Sequence, residues 1–190
     1  VPYFTNQIDE KIVELLKSGG VGFLPTDTIY GLSATALNKN TVKKVHDLKN
    51  RDKKPFIILI SHMNQLPDLG IDLMAAGEIR KHWPGPLSVV FESSKVPEWL
   101  QMGTKSLAVR LPDNKNLSDL IAKTGPIVST SANLQGHEPA KNVEEAQKYF
   151  GNKLDFYVDT GELKGQSSTL VKIENGRLKV LRQGAYKIVT

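Results

Sequence analysis

Phe56-Ile57-Ile58-Leu59-Ile60 is an unbroken apolar run, and a strand that is apolar at every position is buried on both faces. Coverage of both faces calls for helices layered on a sheet, so the flanking sequence is where those helices should lie. Upstream, the spacing predicts a helix from near Thr41 that buries Val42, Val45 and Leu48 and leaves Lys43, Lys44 and Asp47 outside. Before it, Ile8, Ile12, Leu15 and Leu16 recur at helical spacing between a capping Asn6 and a Gly19-Gly20 stop. Val21 to Pro25 then reads as a short buried strand.

Downstream, a helix is predicted over Asp72 to His82, stopped by Pro84-Gly85-Pro86. Strands follow at Leu87 to Glu92 and Ser106 to Leu111, with a turn-rich segment containing Pro97 between them. Asn116 to Lys123 reads as a helix, Ile127 to Ser129 as a strand, Val143 to Phe150 as a helix and Phe156 to Val158 as a strand. Ser168 to Glu174 and Arg177 to Leu181 flank Asn175-Gly176, the strongest short hairpin signal because both turn positions need positive φ. No internal repeat, low-complexity tract or linker interrupts the pattern. Interspersed helices and strands with an antiparallel hairpin imply one α/β domain over residues 1–190, built on a twisted mixed sheet flanked by helices.

Composition narrows the chemistry without choosing it. The absence of cysteine excludes disulfides, thiolate metal sites and a cysteine nucleophile, and is compatible with a cytosolic protein. No run approaches the roughly 20 apolar residues that span a bilayer, and no secretory signal opens the chain, so no membrane partner is expected. Lys and Arg number 25 against 20 Asp and Glu, a net +5 that suits nucleotides or RNA but equally describes a solvated basic surface.

Neither common nucleotide fingerprint occurs: there is no G-x-x-x-x-G-K-[ST] and no G-x-G-x-x-G after a strand. His46, His62, His82 and His137 lack metal-ligand spacing, and no G-x-S-x-G elbow is present. Three other segments carry polar groups at element ends. Pro25-Thr26-Asp27-Thr28-Ile29-Tyr30-Gly31-Leu32 follows a buried strand and offers donors and acceptors to a small polar substrate, or else is a hydroxyl-rich turn capping a helix. Lys49-Asn50-Arg51-Asp52-Lys53-Lys54-Pro55 sets four cations at a helix C-terminus, where they match a triphosphate or simply the helix dipole. Ile127-Val128-Ser129-Thr130-Ser131-Ala132-Asn133 runs from an apolar strand into hydroxyls and an amide. Ser106 and Arg110 share one face of a strand, and a half-buried Arg110 needs a carboxylate from the protein or from a ligand.

Together these segments resemble the YrdC family, whose members include threonylcarbamoyl-AMP synthases. The matching stretches are Pro25 to Leu32, Lys49-Asn50-Arg51, Trp83 to Ser88, Ala108 to Pro112, Ser129 to Asn133, Ser168-Thr169 and Leu181-Arg182, in the family's order. The resemblance implies a positively charged open cavity on one side of the sheet. It also implies a nucleotidyltransferase reaction: L-threonine, bicarbonate and ATP become threonylcarbamoyl-AMP and pyrophosphate. Mg²⁺ would be held mainly by the ATP phosphates. A partner transferase complex would then modify the adenosine next to the tRNA anticodon, with direct tRNA contact as a further expectation. By the same resemblance Lys49 and Arg51 are the catalytic cations, and Lys49, Arg51, Lys54, Ser106, Ser131, Asn133 and Arg182 bind ATP. Thr28, Tyr30, Arg110 and Ser168 fall to L-threonine. The chain ends soon after Arg182, so the short form without a further C-terminal domain is expected; Gln183 stands where many relatives have Pro. The contrasting expectation is a non-catalytic double-stranded RNA or tRNA-binding module on the same basic surface, although no RRM, KH or dsRBD signature appears. A sugar-phosphate lyase would need an acidic metal cluster that the sequence lacks.

Overall fold

The computed structural model describes residues 1–49 and 55–188. Among the described residues ten strands join one sheet: β1 Tyr3–Thr5, β2 Gly22–Leu24, β3 Gly31–Thr35, β4 Ile57–Leu59, β5 Leu87–Glu92, β6 Ser106–Arg110, β7 Ile127–Ser131, β8 Phe156–Val158, β9 Thr169–Glu174 and β10 Arg177–Arg182. Their spatial order is β1-β8-β2-β3-β7-β4-β6-β5-β9-β10. The sheet is mixed: β4 pairs parallel with β6 and antiparallel with β7. The apolar run from Phe56 to Ile60 thus supplies a central strand.

Strand alternation sorts the apolar residues onto two faces. Phe23, Ile58, Val128 and Tyr157 join one buried cluster, and their neighbours Leu24, Leu59, Ile127, Phe156 and Val158 join another. Helices α1 Glu10–Lys17 and α4 Lys115–Thr124 cover the second cluster through Ile12, Leu16, Leu117 and Ile121. Helices α2 Lys39–Lys49 and α5 Val143–Phe150 cover the first through Val42, Val45, Ala146 and Phe150. A short helix, α3 Glu98–Gln101, follows Pro97.

The structure departs from the sequence reading at several places besides α3, which lies in the segment read as turn-rich. Asp9, not Asn6, caps α1, its carboxylate accepting from Ile12 N at 3.1 Å. The helix expected over Asp72 to His82 is two 3-10 turns, Leu73–Ala76 and Glu78–His82, on either side of Gly77. Their buried residues Ala76 and Ile79 are three apart, the 3-10 period, and Gly77 removes the propensity a continuous helix would need. Strands β1 and β3 appear where none was predicted, so the hydroxyl-rich stretch from Pro25 leads into a strand and caps no helix. The terminal hairpin forms as expected, with Asn175 at φ 52° and Gly176 at φ 72°.

No helix of the described residues is long and apolar enough to cross a membrane.

Candidate functional site

Register places small residues in the middle of the sheet. Ile57 lies between Ala108 of β6 and Ser129 of β7, and Ser129 lies opposite Ser33 of β3. The next row pairs Gly31 with Ser131. These positions lie on the face that carries α1 and α4, which cover Leu59 and Ile127 in the adjoining row. A cavity of about 190 Å³ opens above Gly31, Ala108 and Ser129. Gly31 is needed there: a Cβ would meet Ser129 Oγ at 2.6 Å.

Two polar clusters border this cavity. In the first, Lys49 at the end of α2 is buried and its ammonium donates to Ser131 O at 2.6 Å and to Asn133 Oδ1 at 2.6 Å. Ser131 Oγ donates to the same Asn133 oxygen at 2.7 Å. In the second, Arg110 of β6 is buried, with Nη1 donating to Thr28 Oγ1 at 3.0 Å and Nη2 lying 3.1 Å from Asp27 Oδ1. The carboxylate that Arg110 requires is therefore supplied by the protein. Thr28 and Thr26 share a hydroxyl–hydroxyl hydrogen bond at 3.0 Å, and Thr26 Oγ1 donates to Ile29 O at 2.6 Å. Burial lowers the Arg110 pKa; Asp27 opposes that shift and Arg182 adds to it. Burial lowers the Arg182 pKa as well. Both guanidinium groups stay charged at neutral pH, because an arginine starts above 12.

The far wall comes from late in the chain. Ser168 Oγ hydrogen bonds Ser88 Oγ at 2.8 Å, and Arg182 Nη2 donates to Ser168 O at 2.9 Å. Gly165 packs on the Thr28 carbonyl so closely that a Cβ has no room. The tail then folds back, with Ala185 N donating to Ser167 O at 2.9 Å.

Of the residues singled out in the sequence, Thr28, Tyr30, Arg110, Ser131, Ser168 and Arg182 line this one cavity, and Lys49 and Asn133 are bonded to its Ser131 corner. Tyr30 lies there in an unexpected posture. Its ring is fully buried against Phe23, and its hydroxyl accepts from Thr160 N at 2.9 Å and donates to Gly161 O at 2.8 Å. That phenol holds the segment leading to Ser168 and has no donor left for a ligand. Ser106 is at the opposite end of β6 from Arg110, outside the cavity wall, with its hydroxyl donating to Thr104 Oγ1 at 3.0 Å. Arg51 and Lys54 lie outside the described residues. Thr26, Gly31, Ser88 and Ser129 were not singled out by the sequence reading. All four stand within quoted stretches, Thr26 and Gly31 in Pro25 to Leu32, Ser88 at the end of Trp83 to Ser88 and Ser129 at the start of Ser129 to Asn133, but no role fell to them until the fold set Ser88 beside Ser168.

Among the described residues no group of three or more His, Cys, Asp or Glu is placed to hold a metal ion. The site offers fixed cations, hydroxyls and backbone groups, which suits anionic reactants held in place more than acid–base chemistry.

A Sua5/YciO/YrdC family model, described as "Telomere recombination", matches residues 14–184. The threonylcarbamoyl-AMP synthase of Marinobacter nauticus is 32% identical over 173 residues, covering 84% of this chain and 88% of that protein. The threonylcarbamoyl-AMP synthase of Pseudoalteromonas atlantica is 33% identical over 178 residues, covering 90% of this chain and 94% of that protein. The crystal structure of Pyrococcus abyssi Sua5 complexed with L-threonine superposes with a TM-score of 0.86 at 30% identity; it covers 97% of this chain, which spans 57% of the Sua5 chain.

Proposed function

The chain belongs to the Sua5/YciO/YrdC family, and from that premise we propose that it is a threonylcarbamoyl-AMP synthase acting on L-threonine, bicarbonate and ATP. One observation carries the reading: residues separated by 84 positions in the chain, Lys49 and Asn133, join at the Ser131 corner of a cavity that the Arg110–Thr28 pair also lines. In this reading the Lys49 corner receives phosphate and the Arg110–Thr28 pair receives a carboxylate.

The reaction has two bond-forming steps. The threonine nitrogen adds to bicarbonate, losing water and giving a carbamate. A carbamate oxygen then attacks the α-phosphorus of ATP, and the bond to pyrophosphate breaks. The carbamate is short-lived in water, so holding it against the nucleotide in a walled cavity protects it and replaces a chance encounter. In this scheme Arg110 and Thr28 take the threonine carboxylate, and Ser168 closes that side. Lys49 and Arg51 neutralise phosphate charge as the new P–O bond forms, with Ser131 and Asn133 orienting Lys49 and Arg182 adding positive charge across the cavity. Mg²⁺ enters as part of the ATP substrate, in keeping with the protein's lack of a carboxylate cluster among the described residues. We further read residues 1–190 as one cytosolic catalytic unit that hands its product to a tRNA-modifying transferase.

The test is pyrophosphate release from Mg·ATP with threonine and bicarbonate supplied together, singly or not at all. Release that requires both supports the proposal. Release indifferent to threonine, together with salt-sensitive RNA binding, would replace it with the RNA-binding module.

A further inference from the structure

Among the described residues Asp27 is the charged group at this site to which the proposed chemistry gives no task. Its side chain is only 6% exposed and that of Arg110 only 4%, so their 3.1 Å contact is a buried ion pair. The pair is close but poorly aligned. Asp27 Oδ1 and Arg110 Nε are both buried without a hydrogen-bond partner. The other carboxylate oxygen accepts a long bond, 3.4 Å, from Asp113 N. A partner serving only to stabilise Arg110 would meet the guanidinium fork with two aligned bonds. Asp27 does not. It is also absent from the cavity wall, while its neighbours Thr26 and Thr28 both belong to it. The guanidinium is therefore shared: Asp27 holds it from behind, and the Nη1 edge reaches the cavity through Thr28.

We infer that Asp27 is a built-in competitor for the carboxylate of the amino-acid substrate, an internal anion on Arg110 that keeps the amino-acid subsite weak. The inference rests on the proposed function, since it takes the ligand of Arg110 to be an amino-acid carboxylate. Two carboxylates on one guanidinium repel, and in a buried site water screens little of that repulsion. The internal charge gives Arg110 a partner when the subsite is empty and opposes the ligand when it is full. The result is a cation held in position by Asp27, from which an amino-acid derivative departs easily. The sign is opposite to that of an ordinary binding residue: removing the Asp27 charge strengthens binding.

Calorimetric titration of L-threonine into the full chain decides it. Asp27→Asn keeps an amide oxygen within reach of Nη2 and removes the charge; its threonine affinity should rise about tenfold, with a lower KM for threonine and no gain in kcat. Asp27→Glu, which keeps the charge, should stay near wild type, and Arg110→Lys should weaken binding. A folded Asp27→Asn protein that binds threonine no better than wild type overturns the inference while leaving the synthase reading intact. No threonine binding by any of the proteins overturns both. Should Asp27→Asn not fold unaided, refolding of Asp27→Ala with and without acetate or threonine supplies the answer. Recovery promoted by either carboxylate supports an internal stand-in, and no recovery with either overturns it.

Discussion

Lys49 Nζ and Asn133 Oδ1 lie 2.6 Å apart, joining the C-terminal turn of α2 to the residue two past the end of β7. In the proposed chemistry this ammonium, which also donates to Ser131 O, neutralises phosphate charge at that corner. Lys49→Ala is accordingly expected to cut threonine-dependent pyrophosphate release by about 10²–10³-fold. It also strips a partner from Ser131 O and Asn133 Oδ1, so a loss of about 1–3 kcal/mol in stability is expected beside it. Denaturant melts and the release assay on the same preparation separate the two effects. Near-normal release by a folded variant would remove Lys49 from the chemistry.

The elements whose signal is local were legible in the sequence. Leu87 to Glu92, Val143 to Phe150 and Phe156 to Val158 fall on the predicted residues, because apolar pattern and flanking turn residues agree there. β1 and β3 were not legible. Tyr3–Thr5 is a three-residue edge strand whose partner, β8, lies some 150 positions away in the chain. Gly31–Thr35 is buried along nearly its whole length although it contains Gly, Ser and Thr: Leu32 and Ala34 join the core, while Gly31 lines the cavity. The site shows the same division. Its hydroxyls and cations could be picked out by type, but their directions could not: Tyr30 and Ser106 both turn their hydroxyls to protein partners. The Asp27 partner of Arg110 stood in plain view in the sequence, and only the fold brings the two together.

Thr28→Val tests how the cavity is divided. The threonine hydroxyl accepts from Arg110 Nη1 at 3.0 Å; valine has the same shape and no acceptor. The KM for threonine should rise about tenfold, the equivalent of one lost hydrogen bond to a charged group, with the KM for ATP nearly unchanged. Parallel losses for both substrates would contradict the assignment of Thr28 to the amino-acid side.

The terminal hairpin predicts an acid transition of its own. Glu174 is held at a pKa of about 2 by hydrogen bonds from Lys172 and Lys179, at 2.6 and 2.9 Å. Because the folded pKa is depressed, the contribution is complete above the ordinary carboxylate range near 4.3 and disappears as pH falls through about 2. Backbone amide shifts of Arg177 to Val180, followed by NMR, should titrate with a midpoint near that lower value. A midpoint near 4.3 would show that the lysines do not hold the carboxylate in solution.

Gly31 and Ser129 are neighbours on the cavity floor, and their separation leaves no room for a methyl group. A Cβ on Gly31 would stand 2.6 Å from Ser129 Oγ and 3.3 Å from Thr130 O, both on the paired strand β7. Gly31→Ala must therefore rotate the Ser129 hydroxyl or push β3 from β7, at a cost of about 1–3 kcal/mol. The same methyl projects at the Gly31 wall of the cavity, so threonine-dependent release should fall even where the variant remains folded. Ser129→Ala removes the obstructing hydroxyl and keeps the Cβ within β7, so by itself it loses only a polar group. In the double variant the clash is gone, and stability should exceed the sum of the two single effects by about 1 kcal/mol. Strict additivity in that cycle would mean that the backbones have moved apart and that the floor of the cavity is not set by this contact.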